Sequence, residues 1–517
     1  MDRQNLARQA EVALEKQGDY DSLWFEGRWH SSGSLADRAA RLAAGLADLG
    51  VRPGDRLLVL MTNCPEVLIS YSAAWRAAAV VTPLIFLVTE DELRNALADS
   101  GAVGVVTTAE FLPKVAGTLD GAPAVRFVIA PGAAAGAAGP ARPGVPVLDF
   151  DQVTSAGPAP ITDRSGSDLA ALLYTGGTTG RSKGVPLSHA SLLWCGSAAH
   201  EVTVRAGVRT AVLPLPLAHA YGLLVLCGGM HRTDQARTIL MRWFDPAGWV
   251  KLAAEHRAQG SALVPSMIQM LLGQPLEHAD LSELAAVSSG AAPLPEEVRR
   301  EFEARVPSAT IYEGYGCTEA ATLISANPRD ARRAGSVGLP VPGCEVSICD
   351  DAGRMLPPGT DGEICVRSPG VMRGYWHEQD SGVLAGGWLR TGDIGHTDAD
   401  GYLYVVDRKK DLILRGGFNV YPRDVEDVLL AHPAVTQAGV VGRPDPRLGQ
   451  EVVAFVALSP GADTTAGDLI EHARRHLAAH KYPRQVSVVP ALPLTSVGKL
   501  DRKKLREWVT ADPPSAG

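Results

Sequence analysis

The chain has 517 residues, with 49 lysines and arginines, 57 aspartates and glutamates, and a net charge of −8. This length predicts two or more domains, and the charge argues against a nucleic acid or an anionic membrane as the main partner, which favours small molecules. Its longest apolar run, residues 77–88, contains Pro83 and is shorter than the roughly 20 residues of a membrane span. Seven scattered cysteines without a C-x-x-C pair predict a cytoplasmic protein without disulfides or a zinc site.

Helical and strand patterns alternate through the first half of the chain. Apolar residues at helical spacing predict a helix over Leu35–Leu49, and Arg56–Met61 follows as a buried strand. The pattern repeats with a helix over Pro65–Ala78, and Thr89 and Glu92 form a capping box that begins another helix. Further strands are predicted at Val80–Val81, Ala102–Val106, Ala211–Leu213, Ala262–Val264, Leu284–Val287 and Thr310–Tyr312. This alternation predicts α/β domains with parallel sheets covered by helices, which bind ligands at the strand ends.

A segment rich in glycine and hydroxyl groups, residues 174–185, follows the predicted strand Leu169–Leu173. Its glycines allow backbone N–H groups to converge, and Lys183 adds a positive charge, so the segment predicts a phosphate-binding loop. Ser182 before the lysine and Gly184 after it depart from the Walker pattern. A surface turn rich in glycine and threonine is the alternative. The candidate phosphate-binding residues are Thr175, Gly176, Gly177, Thr178, Thr179, Gly180 and Lys183.

This loop resembles the phosphate-loop signature of the adenylate-forming superfamily, which contains acyl-CoA synthetases, adenylation domains of peptide synthetases and luciferases. Family-like segments recur in the expected order from Tyr174 to Lys499, so the resemblance covers nearly the whole chain. The family often has Ser where Gly176 or Gly177 stands and Pro where Ser182 stands. The resemblance implies a large N-terminal domain of doubly wound parallel sheets with a small β subdomain, followed by a smaller, mobile α+β domain. We predict the boundary between residues 408 and 409.

Three further segments of the N-terminal region resemble the nucleotide site of that superfamily. The segment Glu313-Gly314-Tyr315-Gly316-Cys317-Thr318-Glu319 resembles the adenine and metal segment. The resemblance implies that Tyr315 offers a flat face to the adenine, Thr318 contacts the α-phosphate region and Glu319 holds Mg²⁺; a simple turn with a core tyrosine is the alternative. The backbone of Gly290, Ala291 and Ala292 matches the stretch along the adenine. Asp393, after Thr391 and Gly392, matches the ribose ligand, and Arg408 matches a second ribose contact.

The acyl pocket is predicted from the segments 218–223, 264–270 and 288–292. The first contains His219, which matches the residue that gates the acyl tunnel in the superfamily; a buried structural histidine is the alternative. None of the three segments contains Arg or Lys, which disfavours an acid with a second carboxylate. Leu223, Leu224, Ser266, Met267 and Met270 predict an apolar channel, and Gly222, Ala292, Gly314 and Gly316 are expected to leave room for a bulky acyl group.

After Arg408 the pattern changes to that of a compact α+β domain. Its predicted elements are a helix over Val425–Leu430, strands over Val435–Val441 and Glu451–Leu458, a helix over Ala466–Ala478 and a strand over Gln485–Val489. The hinge is placed at residues 408–411, with Lys410 at the pivot by resemblance; a solvated turn is the alternative. Lys499 lies in a segment that resembles the catalytic-lysine loop, and Gly416 and Gly417 match the strand turn that lines the pantetheine channel.

Together these matches imply an ATP-dependent acid–CoA ligase that uses ATP, Mg²⁺ and CoA. The enzyme would form an acyl-AMP from a hydrophobic carboxylic acid and then transfer the acyl group to CoA. An acyl-AMP ligase that stops at the adenylate, or passes the acyl group to an acyl carrier protein, is the alternative. A luciferase-like oxygenase and a nucleotide-binding regulator without turnover also stay open. Neither the identity of the acid nor the oligomeric state follows from the sequence, and a homodimer is one of the possible states.

Overall fold

The computed structural model describes residues 5–132, 141–155, 157–175, 182–203, 207–378, 384–495 and 500–510. In chain order the strands are β1 (Asp21–Phe25), β2 (Arg28–Ser31), β3 (Arg56–Met61), β4 (Val80–Ile85), β5 (Gly104–Thr107), β6 (Phe127–Ala130), β7 (Val147–Asp149), β8 (Leu169–Thr175), β9 (Lys183–Ser188), β10 (Thr210–Leu213), β11 (Arg237–Leu240), β12 (Gly260–Leu263), β13 (Ala286–Ser289), β14 (Thr310–Tyr315), β15 (Ser325–Ala326), β16 (Leu339–Pro340), β17 (Glu345–Cys349), β18 (Gly362–Arg367), β19 (Leu384–Ala385), β20 (Trp388–Thr397), β21 (Leu403–Arg408), β22 (Ile413–Arg415), β23 (Phe418–Val420), β24 (Val435–Asp445), β25 (Gly449–Leu458) and β26 (Gln485–Val488).

The α-helices occupy the spaces between these strands. In chain order they are α1 (Leu6–Gln17), α2 (Ser32–Asp48), α3 (Pro65–Arg76), α4 (Glu90–Ser100), α5 (Leu112–Ala116), α6 (Phe150–Val153), α7 (His189–Thr203), α8 (Ala220–Gly229), α9 (Pro246–Glu255), α10 (Pro265–Leu272), α11 (Glu296–Arg305), α12 (Pro422–Leu430), α13 (Ala466–His476) and α14 (Arg502–Thr510). Thr89 and Glu92 form the predicted capping box at the start of α4.

Two mainly parallel sheets form the N-terminal domain. One has the strand order β7-β6-β5-β3-β4-β8-β9 and the other β16-β15-β14-β13-β12-β10-β11-β1-β2. Leu57 and Val59 of β3 face a core shared with α2, α3, α7 and α8, whereas Leu58 and Leu60 face a separate core formed with α4. The second sheet is likewise covered on its outer face by α9, α10 and α11. Since both faces of both sheets carry helices, the predicted doubly wound architecture is confirmed.

Two smaller sheets complete the fold. Strands β17 to β21 form an antiparallel sheet, which is the predicted small β subdomain. Strands β22 to β26 form the sheet of the smaller C-terminal domain, whose core includes residues of α12 and α13. The boundary at residues 408 and 409 stays a prediction.

The elements differ from the predictions mainly at their ends. Strands β12 and β13 were predicted as Ala262–Val264 and Leu284–Val287, and each lies about two residues away from that position. Backbone pairing with neighbouring strands sets these ends: Leu263 pairs with Ser289, although serine breaks the apolar run. Helix α14 was not predicted, and its Leu505 is fully buried beneath β24 and β25.

Two further properties follow from the side chains. All seven cysteines carry free thiols, and six of them are buried. Among the helices of the described ranges, none combines the length and apolar character that crossing a bilayer requires.

Candidate active site

A cavity of about 1,820 Å³ opens where the carboxyl ends of the second sheet meet the C-terminal domain. Of the predicted site residues, those that line it are Thr175, Lys183, His219, Gly290, Ala291, Ala292, Glu313, Gly314, Tyr315, Gly316, Thr318, Glu319, Asp393 and Arg408. Gly416 and Gly417 do not line it. Gly176, Gly177, Thr178, Thr179, Gly180 and Lys499 lie outside the described residues, so their predicted roles stay predictions. The residues on both sides of the last gap, Thr495 and Leu500, line the cavity.

Thr175 and Lys183 occupy opposite positions of an antiparallel strand pair. Thr175 ends β8, Lys183 begins β9, and the two residues are partners in the ladder. The segment between them therefore joins two strands, whereas a Walker loop leads from a strand into a helix. This connection explains why the sequence departs from the Walker pattern.

The predicted ribose contacts are brought together by the small β subdomain. Asp393 on β20 pairs with Arg408 on β21, and its Oδ1 lies 3.2 Å from the Arg408 Nε. The Tyr315 hydroxyl donates a hydrogen bond of 2.6 Å to Asp393 Oδ2. Burial raises the pKa of Tyr315 well above its usual value, and the Asp393 carboxylate raises it further, so the hydroxyl remains a donor. Asp393 is thus held between a cation and a phenol at the edge of the cavity.

Glu319 presents a carboxylate to the same cavity from a short 3₁₀ turn, Thr318–Ala320. Its Oε1 accepts a hydrogen bond of 3.0 Å from the Tyr375 hydroxyl. Within the described part of the chain, its Oε2 accepts no hydrogen bond. A carboxylate with one oriented oxygen and one open oxygen fits Mg²⁺, which takes few protein carboxylates and otherwise uses phosphate oxygens and water.

Sequence reasoning missed Tyr375 and Glu378. The Lys183 ammonium lies 2.6 Å from Glu378 Oε2 and 4.9 Å from the centre of the Tyr375 ring. These residues are about 190 positions away from Lys183 in the chain, and no spacing pattern joins them to the phosphate loop. The available signal was local: an aromatic pair, Tyr375 and Trp376, stands in an otherwise polar segment.

The glycines near the acyl pocket differ in how closely the backbone packs against them. A Cβ on Gly316 would lie 1.3 Å from the Thr322 carbonyl oxygen, and one on Gly222 would lie 2.3 Å from that of Pro216. A Cβ on Gly314 would lie 3.1 Å from the carbonyl oxygen of Ser325. At Gly222 and Gly316 backbone atoms occupy the place of the missing side chain, so packing of the chain requires glycine at both positions. That Gly314 and Ala292 leave room for an acyl group stays a prediction.

The predicted acyl channel is retained only in part. Leu224, Ser266 and Met270 line the cavity, whereas Leu223 is a core residue and Met267 packs at the edge of the core. His219 is half-buried and caps α8, where its Nδ1 accepts a hydrogen bond of 3.2 Å from the Tyr221 backbone N–H. This cap orients the imidazole beside the channel, and the gating role stays a prediction.

The C-terminal domain contributes a second wall to the cavity. Gln269 of α10 donates a hydrogen bond to the Thr436 carbonyl on β24, and the side chain of the next residue, Gln437, accepts a hydrogen bond of 2.9 Å from the Leu492 N–H. Leu494 and Leu500 form a bridge across the segment that contains Lys499. These contacts connect the acyl-pocket helix to the two ends of the predicted catalytic-lysine loop.

The hairpin that carries Gly416 and Gly417 lies away from this wall. Both glycines have positive φ, 58° and 83°, and they join β22 to β23 in a two-residue turn, which requires this conformation. The predicted strand turn is therefore present.

Burial changes the pKa of the Glu313 carboxyl group. Burial raises its pKa to about 7, although Arg423 and Arg299 lower it. Between its ordinary value and about 7, the folded chain binds more protons than the unfolded chain, so the free energy of unfolding falls as the pH rises. Glutamine does not titrate, so we expect Glu313→Gln to be free of this loss. The free energy of unfolding of the variant minus that of the parent should therefore be larger at pH 8 than at pH 5, by about 1 to 3 kcal/mol. Thermal unfolding of the parent and the variant between pH 5 and pH 8 measures this change. A difference in stability that stays constant over that range would contradict the prediction.

Comparison with known proteins gives a consistent result. The model of the family described as AMP-binding enzyme matches residues 9–376, and that of its C-terminal domain matches residues 424–499. A long-chain-fatty-acid–CoA ligase of Bacillus subtilis is 34% identical, over 95% of this chain and 92% of its own length. A feruloyl-CoA synthase of Amycolatopsis is 36% identical, over 91% and 92%. The crystal structure of an anthranilate CoA ligase with anthranoyl-AMP has a TM-score of 0.90 and 25% identity, over 98% of this chain and 97% of its own.

Proposed function

The chain belongs to the AMP-binding enzyme family, and from this membership we propose that it is an ATP-dependent acid–CoA ligase that activates a hydrophobic carboxylic acid. In the first half-reaction the carboxylate attacks the α-phosphorus of ATP, which forms acyl-AMP and releases pyrophosphate. In the second, the CoA thiol attacks the acyl carbon and releases AMP. The observation that carries the proposal is that Lys183, Glu319, Asp393 and Arg408 line one cavity, although they are distant in sequence.

We assign each of these residues a separate role in the first half-reaction. Lys183 attracts the phosphates that leave as pyrophosphate, and Asp393 accepts hydrogen bonds from the ribose hydroxyls. Glu319 holds Mg²⁺, which offsets the negative charge of the phosphates when it is bound. Lys499 reaches the α-phosphate and the acid carboxylate from the C-terminal domain. Charge stabilisation of this kind is the main contribution of proteins to phosphoryl and nucleotidyl transfer.

The second half-reaction requires another arrangement of the C-terminal domain. We propose that this domain rotates about Lys410, withdraws Lys499 and brings the hairpin of Gly416 and Gly417 to the cavity. One observation supports this hypothesis: residues on both sides of Lys499, Thr495 and Leu500, line the cavity, and Gly416 and Gly417 do not. Such rotations are commonly absorbed by a few loop residues between domains.

The acyl pocket supports a hydrophobic substrate. Ala262, Ser266, Met270 and Leu224 lie on the cavity surface. Arg209, Arg232 and Arg237 also line the cavity. Arg209 lies 3.9 Å from Asp234 Oδ2, and Arg237 lies 5.5 Å from the centre of the Trp29 ring. The guanidinium of Arg232 is bound by both oxygens of Asp234 at 3.0 and 2.8 Å. Because this charge is already paired, it offers little to a second substrate carboxylate.

Mass spectrometry of reactions with ATP, Mg²⁺ and pooled aliphatic, alicyclic and aryl acids, with and without CoA, tests the proposal. We expect acyl-CoA only when CoA is present, and the mass of the product identifies the acid. Acyl-AMP that accumulates equally in both reactions would instead indicate a ligase that stops at the adenylate or serves a carrier protein. ATP binding without pyrophosphate release for any acid would favour a regulator.

A further inference from the structure

Residues 372–378 form a segment that joins the predicted metal loop, residues 313–319, to the predicted phosphate loop, residues 174–185. At one end the Met372 N–H donates a hydrogen bond of 2.8 Å to the Glu319 carbonyl. At the other end the Trp376 N–H donates one of 2.8 Å to the carbonyl of Gly184, the residue after Lys183. Backbone bonds thus fix the segment to both loops, and we name it the 372–378 bridge.

Tyr375 stands in the middle of the 372–378 bridge and touches the functional side chain of each loop. Its hydroxyl donates to Glu319 Oε1 at 3.0 Å, and the Lys183 ammonium lies 4.9 Å from its ring centre. A carboxylate oxygen can only accept, so the phenol is the donor of this hydrogen bond. An aromatic ring attracts a cation toward its face, which limits the positions open to the flexible lysine.

Glu378, at the end of the bridge, completes this arrangement. Its Oε2 lies 2.6 Å from the Lys183 ammonium, and its side chain is 49% exposed. An exposed carboxylate is a weak partner, which phosphate oxygens can replace at small cost. Lys183 therefore keeps its place against the Tyr375 ring while it exchanges one anion for another.

We propose that Tyr375 is a positioning residue, which orients Glu319 for Mg²⁺ through its hydroxyl and places Lys183 for the phosphates through its ring. The inference rests on the proposed function only in that ATP and Mg²⁺ are the ligands. The two contacts belong to different parts of one side chain, so two substitutions separate them. Tyr375→Phe removes the hydroxyl and keeps the ring, and Tyr375→Leu removes both.

Isothermal titration calorimetry of ATP, with Mg²⁺ or with a chelator, tests this proposal without turnover. For Tyr375→Phe we expect ATP affinity in the chelator to equal that of the parent, and the Mg²⁺ concentration for half-maximal enhancement of binding to rise about tenfold. For Tyr375→Leu we expect ATP affinity to fall in the chelator as well, by roughly threefold to fivefold. Tyr404→Phe is the matched control, because its hydroxyl donates to Asp398 at 3.2 Å outside the cavity.

A parent-like Mg²⁺ dependence in Tyr375→Phe, with unchanged thermal unfolding, would overturn the proposal. Equal losses in Tyr375→Phe and Tyr375→Leu under both conditions would also overturn it, because they would indicate a structural role alone. Since these measurements need no acid substrate, they remain informative if the parent binds ATP and releases no pyrophosphate. That last result would contradict the ligase function and leave the role of Tyr375 to be decided by the binding data.

Discussion

Replacing Lys499 with alanine is expected to reduce acyl-adenylate formation by at least about a hundredfold, and to leave thioester formation from supplied acyl-AMP measurable. The proposed role of Lys499 is to neutralise charge on the carboxylate and α-phosphate as they react, and the loss of such a contact typically costs about 3 kcal/mol of transition-state stabilisation. In the second half-reaction the thiol attacks the acyl carbon and AMP leaves, so no bond to the α-phosphorus forms or breaks and the proposed role of Lys499 is not required.

The two half-reactions are measured separately for this variant. Acid-dependent exchange of labelled pyrophosphate into ATP reports the first, and conversion of synthetic acyl-AMP to acyl-CoA reports the second. Lys504→Ala is the matched control: Lys504 pairs with Glu507 at 2.9 Å on α14, and both side chains are about half exposed. Equal loss of both half-reactions in Lys499→Ala would rule out the assigned role, and so would parent-like exchange.

Several residues of the candidate site could be predicted because they stand in short segments with distinctive composition. Glycine and hydroxyl groups next to one lysine indicated a phosphate loop, and the segment from Glu313 to Glu319 indicated an adenine and metal site. The described candidate residues of both segments line one cavity, as expected, and their roles stay predictions. Asp393 and Arg408 were predicted from separate segments, and the antiparallel register of β20 and β21 brings them into contact. In these cases the functional groups stand within one short segment, so they can be recognised before it is known how the segments pack together.

The rest of the site depends on contacts that a linear pattern does not contain. Tyr375 and Glu378 meet Lys183 because backbone hydrogen bonds attach the 372–378 bridge to residues of two distant segments. Gly316 is a second example, because the Thr322 carbonyl oxygen lies 1.3 Å from the place of its Cβ. Likewise, the carboxyl ends of β12 and β13 follow their neighbours in the sheet rather than the apolar run. Local composition thus indicates candidate site residues, whereas the contacts that hold them depend on packing between distant segments.

Replacing Asp393 with alanine is expected to lower kcat/KM for ATP by at least about a hundredfold. Two hydrogen bonds from the ribose hydroxyls to a carboxylate are lost, and each such bond to a charged group contributes about 1.5 kcal/mol or more. The variant also leaves Arg408 without its ion-pair partner and the Tyr315 hydroxyl without its acceptor. Because Asp393 is buried and holds both groups, we expect the melting temperature to fall as well.

Two further variants separate the ligand contacts of Asp393 from its structural ones. Tyr315→Phe removes the hydroxyl that donates to Oδ2 at 2.6 Å and keeps the carboxylate, so it should lower the melting temperature by less than Asp393→Ala and change KM for ATP by less than about tenfold. Asp393→Asn keeps the size of the side chain and removes the charge that faces Arg408. If Asp393→Ala binds ATP as tightly as the parent in calorimetry, the ribose assignment is wrong. If Tyr315→Phe loses as much ATP affinity as Asp393→Ala, the phenol rather than the carboxylate is the main nucleotide contact, because the carboxylate is still present in that variant.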